Sequence, residues 1–123
     1  MNYPTKSIIF PENPAYTRWL VKARVQAANK RARHYGCPDR ITVEDWWEVY
    51  WKTDGACVAC GDRDYVMLNH IVRLEDYGPN TKENLQVLCY ECHLQKCQWE
   101  QAGLVRRAEL GMPLAIQAYS DVQ

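Results

Sequence analysis

Apolar residues recur with a helical period through the first half of the chain, and with a strand-like pattern only in a short stretch after it. Tyr16, Trp19, Leu20, Ala23 and Ala27 fall at i, i+3, i+4, i+7 and i+11, which predicts a first helix with an aromatic and alanine face. Asn13 is a helix-capping type, and Pro14 suits the first turn because its missing N–H would have no intrahelical acceptor there. Gly36, with Pro38 behind it, predicts the end. Thr42 predicts the start of a second helix, with Asp45 completing a weaker form of the capping box. Its buried stripe is Val43, Trp46, Trp47 and Tyr50, and Gly55 closes it. Tryptophans at this spacing read as core anchors, not as stacking platforms for bases.

Downstream, Tyr65 to Leu68 predicts a short strand that pairs with the preceding turn as a hairpin. "IVRLEDYGPNTKEN" reads as a loop turning at Gly-Pro-Asn, and "LQVLCYECHLQKCQWEQAG" as a second tight turn leading into a helix that stops at Gly103. A last short helix is predicted over 104–110. Residues 1–12 show no period and contain Pro4 and Pro11, so an extended arm is expected there.

A length of 123 residues predicts one domain of a small α+β class. Its parts are an arm over 1–12, a helical lead-in over 13–54, a cross-linked core over 55–103, and a helix and tail over 104–123. "SIIF" ends at Pro11, too short for a signal peptide or a membrane span, so a cytoplasmic protein with no membrane partner is expected. In a reducing compartment the six cysteines point to metal rather than to disulfides.

Four of those cysteines form two Cys-x-x-Cys pairs, Cys57 with Cys60 and Cys89 with Cys92. A two-residue gap lets one tight turn present two sulfurs to the same ion, and four thiolates fill the tetrahedral shell that Zn²⁺ prefers. Such a zinc would be structural, with no open position for water. His93 is an alternative ligand in a Cys₃His set. The stretch between the pairs carries Asn69, His70, Asn80 and Asn84, more chemistry than a zinc staple needs.

"LNHIV", then "GPNTKENLQVLC", then "CHLQK" resemble in order and spacing the HNH endonuclease motif, in its form with two flanking zinc knuckles. The resemblance covers Cys57 to Lys96, and the preceding "ITVEDWWEVYWKTDGACVACG" also resembles sequences that lead into that motif. It implies a ββα-metal (His-Me finger) core in which a hairpin bearing Asn69 and His70 packs on a helix bearing His93. It further implies a DNA endonuclease with His70 as general base and Asn84 bracing the loop and orienting His70. One catalytic divalent metal, Mg²⁺, Mn²⁺, Ni²⁺ or Zn²⁺, would be held by Asn69 and His93. Cys97, one helical turn beyond His93, is a further candidate ligand, at the place where colicin-type nucleases carry a third histidine.

Asn69 stands where the family usually has Asp, and a neutral amide is a poorer ligand for a hard cation than a carboxylate. The alternative reading is therefore a catalytically weak or inactive zinc module that binds nucleic acid, and a third is a zinc-organised protein-interaction domain. Net charge is zero, which excludes a uniformly basic coat. The cations are gathered, however: Arg18, Lys22, Arg24, Lys30, Arg31, Arg33 and Arg40 face Asp39 alone over that segment. Arg18, Lys22, Arg24, Arg31 and Arg33, together with Lys96, are the candidate DNA contacts, with a phage, mobile-element or bacterial setting expected.

Overall fold

The computed structural model describes residues 13–101. The arm expected over 1–12, the helix stop expected at Gly103 and the helix expected over 104–110 lie outside the described residues. Helix α1 spans Pro14–His34. The Asn13 side chain accepts from the Tyr16 N–H at 3.1 Å, and Pro14 occupies the first turn. Its other end is a Schellman motif: Gly36, at φ +76°, donates to the Arg33 carbonyl at 3.0 Å, and Cys37 donates to that of Ala32 at 2.8 Å.

Helix α2, Val43–Lys52, opens with a reciprocal capping box. The Asp45 N–H donates to Thr42 Oγ1 and the Thr42 N–H to Asp45 Oδ2, both at 3.0 Å. Gly55 ends the segment at φ +73°, donating to the Tyr50 carbonyl at 2.9 Å. A Cβ at Gly55 would also meet the Tyr50 hydroxyl at 2.6 Å, so the turn needs glycine on both counts.

Strand β1, Val66–His70, pairs antiparallel with β2, Leu85–Cys89, and α3, Tyr90–Gln101, follows directly. The order strand, strand, helix is the ββα arrangement of the expected α+β fold. The first strand begins one residue later than the sequence suggested, because Tyr65 adopts φ +56° as a turn residue, and it runs on through Asn69 and His70. "LQVLC", expected as part of a tight turn, is the second strand. Every residue of β2 is buried, with α2 and α3 both packed against it. No helix among the described residues is long and apolar enough to cross a membrane.

The core gathers Val21, Val25 and Ala28 of α1, Trp46, Val49 and Tyr50 of α2, and Val66, Val87 and Leu88 of the sheet. This corrects the expected face of α1. Thr17, Val21, Val25, Ala28, Asn29 and Ala32 are buried, about one residue round the helix from the aromatic stripe, whereas Trp19 is 61% exposed and Tyr16 38%. Tyr16 and Trp19 instead stack on each other with ring centroids 5.7 Å apart. The physical reason is polar: Asn29 satisfies backbone groups of Ile41 from inside the domain, so its neighbours Val25 and Ala28 must turn inward with it.

The long connection between the strands is held as a compact loop with short 3₁₀ turns at Leu74–Asp76 and Lys82–Asn84. Asn84, itself buried, donates to the carbonyls of Val72 and Pro79 at 3.0 and 2.8 Å and accepts from the Val72 N–H at 3.0 Å. Gly78 is squeezed against the Val72 carbonyl, where a Cβ would collide with backbone.

Candidate functional site

The sulfurs of Cys57, Cys60, Cys89 and Cys92 lie within 4.8 Å of one another. Cys60 Sγ and Cys89 Sγ are 3.7 Å apart, the edge length of a sulfur tetrahedron built on Zn–S bonds of about 2.3 Å. The first pair sits on a tight turn made possible by Gly61 at φ +82°, whose N–H donates to the Cys57 carbonyl at 2.9 Å. The second pair straddles the junction of β2 and α3. Backbone N–H groups of Ala59 and Cys92 point at Cys57 Sγ and Cys89 Sγ at 3.4 and 3.5 Å, a pattern that favours thiolates. Burial opposes ionisation of Cys57, yet N–H donors of Cys89, Cys60 and Ala59 and the Cys92 thiol outweigh it and lower its pKa. Cys89 and Cys92 are shifted upward, burial first. One thiol shifted down and two shifted up fit sulfurs crowded around one point. The cluster has the donor set and spacing of a structural zinc site.

At the other end of the sheet, β1 ends in Asn69 and His70, and α3 brings His93 beside Asn69. Asn69 Nδ2 lies 3.2 Å from His93 Nδ1, and Asn69 Oδ1 is buried with no hydrogen-bond partner among the described residues. His93 Nε2 lies 3.6 Å from Cys97 Sγ. Cys97 thus faces the ring nitrogen opposite to the one near Asn69, so the two side chains address different edges of His93. The amide nitrogen of Asn69, not its orphaned oxygen, is thus the atom that faces His93 Nδ1. Burial lowers the His93 pKa, with the Lys96 charge adding to the effect, which favours the neutral imidazole.

His70 is 7% exposed, and its Nε2 lies 2.9 Å from Asn80 Oδ1. Burial lowers its pKa, Asn80 works against the shift, and the charges of Arg31 and Lys96 reinforce it. The hydrogen-bond partner of His70 is therefore Asn80 and not Asn84, whose polar atoms are spent on the loop backbone. Asn80 was visible in the sequence only as one asparagine of a Gly-Pro-Asn turn, with nothing local to mark it as the partner of His70.

A cleft of about 420 Å³ is lined by Asn69, His70, His93 and Cys97, with Arg31, Arg73 and Glu100 among its other walls. A smaller one of about 170 Å³ is lined by Arg24, Arg31, Trp46 and His70. His70 and Arg31 border both. At about 100° per residue, Lys22 and Arg33 project from the flank of α1 away from Arg24 and Arg31. Among the five candidate cations of that helix, only Arg24 and Arg31 meet the clefts, although all five are exposed.

Lys96 is not a surface cation. It is 1% exposed, and its Nζ pairs with Glu100, which is itself buried and lies 4.0 Å from Arg73. This corrects the expectation that Lys96 contacts DNA: the turn-by-turn placement of α3 points it inward, where a buried cation requires the carboxylate it finds. Burial raises the Glu100 pKa, and the Lys96 and Arg73 charges restrain the rise.

The purified protein is expected to hold about one equivalent of zinc, and stripping it with a chelator should unfold the domain. Elemental analysis and circular dichroism before and after chelation check this; less than about half an equivalent in protein purified under reducing conditions would count against the site.

Neither the search of characterised proteins nor that of solved structures gave a match. The model of the HNH endonuclease family matches residues 57–98, the stretch that begins at the first clustered cysteine and includes Asn69, His70, Asn84, His93 and Cys97. The segment from Cys57 to Gln98 is thus similar to the HNH endonuclease family, with two strands followed by a helix and four cysteines clustered at its base.

Proposed function

We propose that this protein is a metal-dependent DNA endonuclease that hydrolyses phosphodiester bonds, with His70 as general base. The observation that carries the reading is the meeting of His70, Asn69 and His93 in one cleft walled by Arg31. Nε2 of His70 is engaged by Asn80, which leaves Nδ1 to take a proton from a water as that water attacks phosphorus and the 3′ oxygen departs. A divalent cation held by Asn69 and His93 would offset the negative charge that gathers on the phosphate and on the leaving oxygen. Arg31 and Arg24 supply fixed positive charge where a phosphate backbone would pass. The four cysteines would hold zinc as a staple only. Asn84 keeps the loop closed and the hairpin in register with it.

His70→Ala should lower metal-dependent plasmid cleavage by about 10²-fold or more while leaving DNA binding intact. Cleavage assays across Mg²⁺, Mn²⁺, Ni²⁺ and Zn²⁺, beside a filter-binding or anisotropy measurement, separate the two effects. A parent that binds DNA in a salt-dependent way and cleaves with none of these metals would instead establish the binding module.

Asn69→Asp should tighten Mg²⁺ and raise Mg²⁺-supported rates, because it adds a negative charge to a hard-cation site. Calorimetric titration and initial rates at fixed metal test it, and unchanged affinity would mean that this side chain does not serve the metal.

Arg24→Ala with Arg31→Ala should weaken binding to any duplex and reduce the slope of log K against log salt by about 2. Lys22→Ala with Arg33→Ala should do less, since that pair projects from the other flank of α1. A salt series on two unrelated duplexes distinguishes the pairs. A reversed ranking would move the DNA path away from the cleft.

A further inference from the structure

Two buried asparagines form a continuous polar path to His70. Asn80 is fully buried and Asn29, in the middle of α1, is 6% exposed. Asn29 Oδ1 accepts from the Ile41 N–H at 2.9 Å, and Asn29 Nδ2 donates to the Ile41 carbonyl at 3.0 Å. Each of those backbone groups has one role only, so the Asn29 carboxamide has one workable orientation. Asn80 Nδ2 then donates to Asn29 Oδ1 at 2.9 Å and to the Asp39 carbonyl at 3.2 Å. A backbone carbonyl cannot donate, so the Asn80 amide is oriented too, and its oxygen is the atom that faces His70 Nε2 at 2.9 Å.

A carboxamide oxygen can only accept, and Nε2 must therefore carry the proton. We propose that Asn80, oriented by Asn29, is a positioning residue that fixes neutral His70 as the Nε2–H tautomer and so leaves the lone pair on Nδ1. The other tautomer would set the Nε2 lone pair against the Asn80 oxygen in a place from which water is excluded. The orientation is inherited, step by step, from the backbone of Ile41. Helix α1 and the turn after it lie outside the stretch matched to the HNH family, yet they decide which nitrogen of the candidate base is available. The importance of this for cleavage rests on the nuclease reading; the tautomer itself does not.

The test is the side-chain ¹⁵N spectrum of His70 in histidine-labelled, zinc-loaded protein at neutral pH without added divalent metal. The parent should show a protonated Nε2 and a bare Nδ1 with widely separated shifts. In Asn80→Ala the two shifts should converge as both tautomers become populated, and kcat for plasmid cleavage should fall about 10-fold or more with KM little changed. Asn29→Ala, which removes one of the acceptors that orient the Asn80 amide, should give a smaller convergence. A parental spectrum dominated by Nδ1–H, or an Asn80→Ala spectrum identical to the parent, would overturn the proposal. If Asn80→Ala does not fold, the parental and Asn29→Ala spectra decide it: a bare Nδ1 in the parent that starts to converge in Asn29→Ala supports the relay, and no change between them defeats it. The expected tautomer in a protein that never cleaves DNA would uphold the positioning and defeat the nuclease reading alone.

Discussion

Four thiols drawn within 4.8 Å of one another are the constraint on which the geometry of the rest depends. A two-stranded hairpin is marginal in water by itself, and this one closes over a long loop that reaches the core through Ile71 and Val72. The cysteine cluster joins the turn before β1 to the junction of β2 and α3, so the far ends of both strands are fixed at one point. Val58 adds a backbone bond to Val87 at 2.9 Å that ties the first turn to the sheet directly. With that end anchored, the other end of the sheet delivers Asn69 and His70, and α3 leaves the anchor at an angle that brings His93 beside Asn69. The staple and the candidate site sit at opposite ends of the same two strands, which is why the distance between Cys60 and Cys89 in sequence is filled with chemistry.

The loop that separates the strands runs partly through the interior, and this sets the second demand. Buried backbone N–H and C=O groups that are not in a ladder must find partners elsewhere. Asparagine meets the demand well, because one short side chain offers donors and an acceptor in one plane. Asn84 serves Val72 and Pro79, Asn29 serves Ile41, and Asn80 serves Asp39 and His70. Asn80 thus serves two ends at once, satisfying a buried backbone carbonyl and holding the imidazole.

Local signals in the sequence were read well where the cause is local. The caps at Asn13 and Thr42, the glycine stops at Gly36 and Gly55, and the two cysteine turns all act within a few residues, and each stands as expected. The buried face of α1 was not legible, because it is defined by Asn29, a residue whose polarity argues for the surface until its partners 12 and 51 residues away are known. The same holds for Asn80. Lys96 misled in the opposite sense: a lysine after a histidine on a helix reads as a phosphate contact, and only the position of Glu100 and the inward turn of α3 show that it is a buried half of an ion pair.

Charge divides the cleft in a way that bears on how a substrate would enter. Arg24 and Arg31 stand on the α1 side, where no acid among the lining residues opposes them in the smaller cleft. Beyond His93 the wall carries Glu75 and Glu100, with Arg73 drawn to Asp76 at 2.7 Å and toward both glutamates at longer range. The guanidinium of Arg73 is thus committed to carboxylates, and its pKa is raised by them although partial burial works against this. A polyanion approaching this surface is attracted on one side and repelled on the other. Under the proposed function the phosphate backbone would lie along α1 and meet His70 from that side, while the acidic wall favours cations near Asn69 and His93. The one imidazole that borders both clefts is His70, the residue that under the proposed function would reach the phosphate and the water together.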